Sequence, residues 1–335
     1  MTFKDIIGHN KTIDYLKKAI KRNELASAYL FWGSESIGKK AAAIAFARAV
    51  NCLSSDNADA CGTCLSCKKI EKGIHPDVRI IAPEGETAEG KKSKVIKIEQ
   101  IRAIQNEMAY PPFEGKKRVF IIDNADRMNT EAANSLLKTL EEPARDSIII
   151  LVTSRPSYLL HTIISRCQGI RFSSLSAETV KRVLMENGRG EDDASLIAAI
   201  TQGKIGSALN TDPAFIKEKR DGYFHILSNA LYRGADELFL STERYAKDSG
   251  DAEDLFEWLY LWLRDIIIFK ETGEERYIIN SDKLTEIKKW SGTDTAALLD
   301  ITRSITDIQR AFTRNINKEF ALEKVLIEVK EVMYK

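Results

Sequence analysis

Long hydrophobic runs are missing from this chain of 335 residues. The nearest, Asp254–Phe269, is interrupted by Glu257, Arg264 and Asp265, whereas a membrane helix needs about 18 apolar positions in a row. Met1-Thr-Phe-Lys-Asp5 opens into charged, helix-like sequence without a signal-peptide core. The expectation is a cytoplasmic protein with no membrane partner. Net charge is scarce too: 50 Lys and Arg against 49 Asp and Glu leave +1. That balance excludes a global basic footprint for nucleic acid, so DNA could be met only through a local patch or an assembly. Low-complexity tails and internal repeats are absent. Cysteine is sparse, with 5 in the chain, but four of them cluster between positions 52 and 67. In a reducing compartment such clustering points to a metal rather than to disulfides. The length exceeds one ordinary core, so two or three domains are expected.

What is present begins with Gly33-Ser-Glu-Ser-Ile-Gly38-Lys39-Lys40. It follows the phosphate-loop pattern G-x-x-x-x-G-K-[S/T] up to its last position. Ala28–Trp32 before it suits a buried strand, and Ala41–Val50 after it is rich in helix formers. Strand, glycine loop and helix aim backbone N–H groups and a helix N-terminus at phosphates. The final Ser or Thr lends its hydroxyl to Mg²⁺. Lys40 has no lone pair to lend, and its ammonium repels the metal.

Cys61-Gly-Thr-Cys64-Leu-Ser-Cys67 has the C-x₂-C spacing that lets neighbouring thiolates reach one ion across a tight turn. Four thiolates make a closed tetrahedral zinc site, with Cys52 as the natural fourth ligand. His75 is the alternative fourth ligand, although His75-Pro-Asp77 reads as a turn into the next strand, Val78–Ala82. The module reads as structural. Pro83–Lys94 is polar and reads as a surface loop, followed by a helix over Lys97–Met108 that Tyr110-Pro-Pro-Phe113 breaks.

Lys116–Asp123 runs from basic residues through an apolar strand into an aspartate, the Walker B arrangement that holds Mg²⁺ beside the phosphates. The next residue should be the glutamate that orients the attacking water. It is Asn124, which cannot take a proton; Asp126 is the nearest carboxylate beyond it. Asn129–Glu142 reads as a helix capped by Asn129, with Ala133, Leu136, Leu137 and Leu140 inward and Pro143 after its end. Ser147–Thr153 is an apolar strand ending in Thr153-Ser154. Arg166 follows a helix-like turn, and the default for a lone arginine is an acidic neighbour. Strands alternate with helices over residues 1–172, which predicts an α/β domain with a mainly parallel sheet. Strand signals then fade. Residues 173–211 predict a small helical domain and 212–335 long amphipathic helices, with a wide apolar stripe through Leu255, Leu259, Trp262 and Ile266.

Phe3-Lys-Asp-Ile-Ile-Gly8, the Ala28–Phe31 strand, the cysteines after the phosphate-loop helix, Asn134–Pro143 and Ser165-Arg-Cys167 together resemble the bacterial clamp-loader AAA+ subunits of DNA polymerase III. Asn315-Ile-Asn317 and Ala321-Leu-Glu323 are similar to the end of their collar domain. The resemblance spans the chain. It implies a RecA-like AAA+ domain over 1–172 with a zinc module at 52–67, a helical lid over 173–211, and a collar over 212–335 that joins a hetero-oligomeric ring. Two subunit types carry this module. The motor type, tau or gamma, keeps an intact phosphate loop and an Asp-Glu pair; the delta-prime type tolerates losing both. Lys40, Asn124 and the stop soon after the collar match the delta-prime type. By this resemblance Arg166 is an arginine finger offered in trans. Gly33, Gly38, Lys39 and Asp123 are a nucleotide site, expected to be a remnant with no ATP turnover of its own. Cys52, Cys61, Cys64 and Cys67 hold structural Zn²⁺. The implied partners are the tau/gamma motor subunits, delta, a sliding clamp and, through the assembly, primed DNA. A basic second sensor is absent, since Gly206-Ser207-Ala208 offers a hydroxyl, with Lys204 nearby. An active tau/gamma-like motor and a zinc-bearing scaffold without an ATP role are the competing readings.

Overall fold

The computed structural model describes residues 1–55, 57–84, 95–232, 242, 249–311 and 316–333. Most of the expected polar loop, at 85–94, and residue 315 of the Asn315–Asn317 motif lie outside them. Among the described residues no helix is long and apolar enough to cross a membrane.

The chain divides into two compact units: residues 1–189 with 201–210, and residues 190–200 with 211–335. The expected lid segment is thus shared between them. The first unit is built on a five-stranded sheet in the order β2-β3-β4-β1-β5. The strands are β1 (Ala28–Trp32), β2 (Val78–Ile81), β3 (Arg118–Asp123), β4 (Ser147–Thr153) and β5 (Gln168–Arg171). Every pairing is parallel, which requires a crossover between strands and buries both faces. The sequence obeys that demand most fully in β4, where all seven residues are buried. One face packs on Phe31, Phe46, Val119 and Ile150, the other on Leu30, Ile104, Phe120 and Leu136.

Helix α1 (Asn10–Arg22) precedes the sheet, and the crossovers are α2 (Lys39–Asn51), α3 (Leu65–Glu71), α4 (Ile98–Met108), α5 (Thr130–Glu141) and α6 (His161–Ile164). Helix α2 is alanine-rich because it is buried almost all round, and small side chains let its backbone approach the sheet. The Asn129 side chain caps α5, its Oδ1 accepting from the Ala132 N–H at 2.9 Å. Helices α7 (Ala177–Glu186) and α9 (Ile205–Asn210) complete this unit.

The second unit is helical: α8 (Glu191–Ile200), α10 (Pro213–Tyr232), α11 (Ser249–Thr272), α12 (Leu284–Trp290), α13 (Thr295–Ala311) and α14 (Lys318–Met333). The apolar stripe of α11 forms its core, where Trp262 stacks on Trp258 at 5.5 Å and meets Trp290 edge-on at 5.7 Å. Asp265, fully buried, accepts from the Asn280 N–H at 2.8 Å and from its Nδ2 at 2.7 Å, which ties the turn after α11 back onto the helix.

Candidate functional site

The parallel sheet brings the ends of β1, β3 and β4 together, and the sequence-predicted nucleotide residues meet there. Gly33 and Gly38 have φ of +149° and +97°, conformations that a side chain would strain. A Cβ on Gly33 would lie 2.1 Å from the Phe172 carbonyl oxygen, so the loop needs glycine for space as well as for angle. Lys39 starts α2 and folds back onto the loop: its Nζ donates to the Gly33 carbonyl at 2.8 Å and to that of Ser34 at 2.5 Å. Burial lowers its pKa, against the opposing charges of Glu35, Asp123 and Asp126.

The position where a metal-binding hydroxyl would stand is filled differently. The Lys40 ammonium lies 2.9 Å from Asp123 Oδ2. A resident cation therefore neutralises the carboxylate that the sequence pattern expects beside Mg²⁺. Asn124 has a left-handed backbone, φ +52°, and lines the same cavity of about 460 Å³ with Ser36, Thr153 and Ser154. Thr153 is engaged: its Oγ1 donates to Asp126 at 2.5 Å and accepts from the Arg155 N–H at 2.9 Å. Asp126 is thus committed to Thr153. The Gly206 N–H donates to the Ser36 carbonyl at 2.7 Å, closing the start of α9 onto the loop apex.

The cysteines come together as well. The four sulfurs of Cys52, Cys61, Cys64 and Cys67 lie within 4.8 Å of one another. Cys52 Sγ is 4.0 Å from that of Cys64 and 3.8 Å from that of Cys67; a tetrahedron with Zn–S bonds of about 2.3 Å has edges of about 3.8 Å. Backbone N–H groups of Cys61, Cys64 and Cys67 point at the sulfurs of Cys52, Cys61 and Cys64, at 3.3, 3.3 and 3.5 Å. Such donors stabilise thiolates, so the donor set fits Zn²⁺. Without metal, the thiols differ. The Cys64 N–H and the Thr63 hydroxyl lower Cys61 to about 6, while burial raises Cys67 to about 12.

His75 is no part of this cluster. Its Nδ1 accepts from the Asp77 N–H at 3.1 Å and its Nε2 meets Ser66 Oγ at 3.1 Å. Sequence reading also missed Asp77, which is fully enclosed and accepts from the N–H groups of Phe113, Glu114 and Gly115 at 2.7, 2.8 and 2.7 Å. Its only sequence signal was an aspartate before a strand.

Arg166 sits apart, just after α6. Its Nη2 donates to Glu141 Oε1 at 2.8 Å and its Nη1 to the Thr162 carbonyl at 3.0 Å. The default expectation of an acidic neighbour is met.

A family model described as "DNA polymerase III, delta subunit" matches residues 8–176, and one for its C-terminal part matches residues 242–331. The DNA polymerase III subunit delta' of Bacillus subtilis is 31% identical over 96% of this chain and 96% of its own length. The chain belongs to the delta/delta-prime family of DNA polymerase III clamp-loader subunits. These subunits are AAA+ in class, and the parallel sheet, the cysteine cluster and the C-terminal helices accord with that. The Pseudomonas aeruginosa delta' is 38% identical over 76% of this chain and 75% of its own length. The tau/gamma subunit of Haemophilus influenzae is 32% identical over 76% of this chain but only 39% of its own length. The clamp-loader role of the family and a metal-competent cysteine cluster are therefore established for this clamp-loader subunit.

Proposed function

We propose that the chain is a delta-prime-type clamp-loader subunit that does not hydrolyse ATP and that offers Arg166 in trans to nucleotide on a neighbouring motor subunit. The observation that carries this reading is the Lys40–Asp123 ion pair at 2.9 Å. Mg²⁺ would have to displace a like charge already bound to its carboxylate, and the position after Lys39, where the phosphate-loop pattern has a hydroxyl, is Lys40. Asn124 leaves the attacking water without a base. Lys39 bonds the loop's own carbonyls, so its ammonium is engaged within the loop. The helical second unit is the collar through which the subunit joins tau/gamma and delta, and the assembly opens a sliding clamp on primed DNA.

Arg166 suits the trans role by its chemistry: a planar, always-charged fork matches the oxygens of a phosphoryl group, and fingers of this kind accelerate transfer by about 10³–10⁵-fold. The purified chain with Mg·ATP is expected to show no turnover. Turnover that Lys39→Ala abolishes would instead make it a motor of the tau/gamma type.

A further inference from the structure

Arg166 is held rather than merely exposed. It follows α6, whose Ile163 is buried in the same apolar cluster as Leu136 and Leu140 of α5, so the two helices form one platform. Two of the five guanidinium N–H donors are used inward, on Glu141 and on the Thr162 carbonyl. Among the described residues the other three have no protein partner, which leaves one edge of the fork available to an incoming oxyanion.

Glu141 has no evident reason of stability to stand where it does. It occupies the last turn of α5, where a negative charge opposes the helix dipole, and Glu142 follows it. An ion pair this exposed contributes little to stability. What the pair does accomplish is to fix the plane of a long, otherwise freely rotating side chain before any ligand arrives.

We propose that Glu141 is the positioning residue for Arg166, presetting the guanidinium for a phosphoryl group on a neighbouring subunit. This rests on the trans-finger reading above, and the test separates the two. The chain is assembled with its tau/gamma and delta partners, and steady-state ATP hydrolysis is measured with clamp and primed DNA present. Glu141→Ala is expected to lower kcat by about 10-fold, well within the loss that small misplacements cause, with KM for ATP unchanged. Glu141→Gln, which keeps an acceptor oxygen and the side-chain shape, is expected to recover part of that loss. In an Arg166→Ala background Glu141→Gln is expected to have no further effect, because the two residues act as one unit.

If Arg166→Ala leaves hydrolysis unchanged, the finger reading itself falls. If Arg166→Ala lowers kcat while Glu141→Ala matches or exceeds the wild type, the positioning role alone is overturned. Should Glu141→Ala fail to assemble, the double variant decides: an equal loss from Glu141→Gln with and without Arg166 overturns the proposal.

Discussion

Lys40 and Asp123 meet at 2.9 Å at the mouth of the phosphate loop, and a substitution of one residue type thereby changes what the loop can hold. A threonine there would add a metal ligand; the lysine supplies the positive charge itself. Asp77 makes the same point about local charge. Burial pushes its carboxyl upward, but three backbone N–H bonds and the Arg118 guanidinium more than offset that and hold it below the ordinary value of 3.8. A carboxyl depressed in the folded state stabilises the fold above its unfolded pKa, and that stabilisation is lost as pH falls through the folded value. Asp77→Asn would turn an amide N–H toward a backbone N–H and is expected to destabilise the protein by about 1.5–3 kcal/mol at pH 7. Chemical denaturation at several pH values should show the difference shrinking below about pH 4; a difference independent of pH would mean that the carboxylate charge is not what matters.

At the scale of elements, the cysteine module is a staple for its surroundings. Asp59, inside the module, accepts from the Phe3 N–H at 3.0 Å and pairs with Lys17 at 3.2 Å. Asn51, at the end of α2, accepts from the Lys116 and Lys117 N–H groups at 2.8 and 2.9 Å. Metal analysis of protein purified without chelator is expected to find one zinc ion per chain. Stripping it should lower the melting temperature of the first unit and expose Cys52 and Cys67 to thiol reagents. Burial keeps these two thiols protonated without metal. Binding must therefore release protons, and zinc affinity should weaken as pH falls in a chelator competition. Affinity rising at lower pH would contradict a thiolate site.

At the scale of the molecule, each unit has its own core. Three of the four tryptophans, Trp258, Trp262 and Trp290, belong to the second unit and Trp32 to the first. Calorimetry is expected to resolve two transitions. Trp262→Ala, which deletes a fully buried ring at a cost of about 3–5 kcal/mol, should move the one that tryptophan fluorescence follows. Metal removal should move the other. A single transition shifted by both treatments would mean one cooperative block.

The elements were legible because their signals are local. The apolar, largely β-branched run Ile148–Val152 of β4 reads as a buried strand, Asn129 and Pro143 bracket α5, and the C-x₂-C spacing of Cys61, Cys64 and Cys67 brings sulfurs together across a turn with little help from the rest of the chain. The sequence also marked, at Lys40 and Asn124, the two positions that depart from the phosphate-loop and Walker B patterns. Three contacts were not legible, because each joins residues far apart in the chain. Lys40 reaches Asp123 only because parallel pairing sets β3 two strands from β1, with β4 between them. Asp77 finds the Phe113–Gly115 amides across an intervening helix. Glu141 finds Arg166 because α5 and α6 share one apolar face. Local sequence determined which motif residues the chain carries; only the tertiary packing decided which cation pairs with Asp123 and which carboxylate holds Arg166.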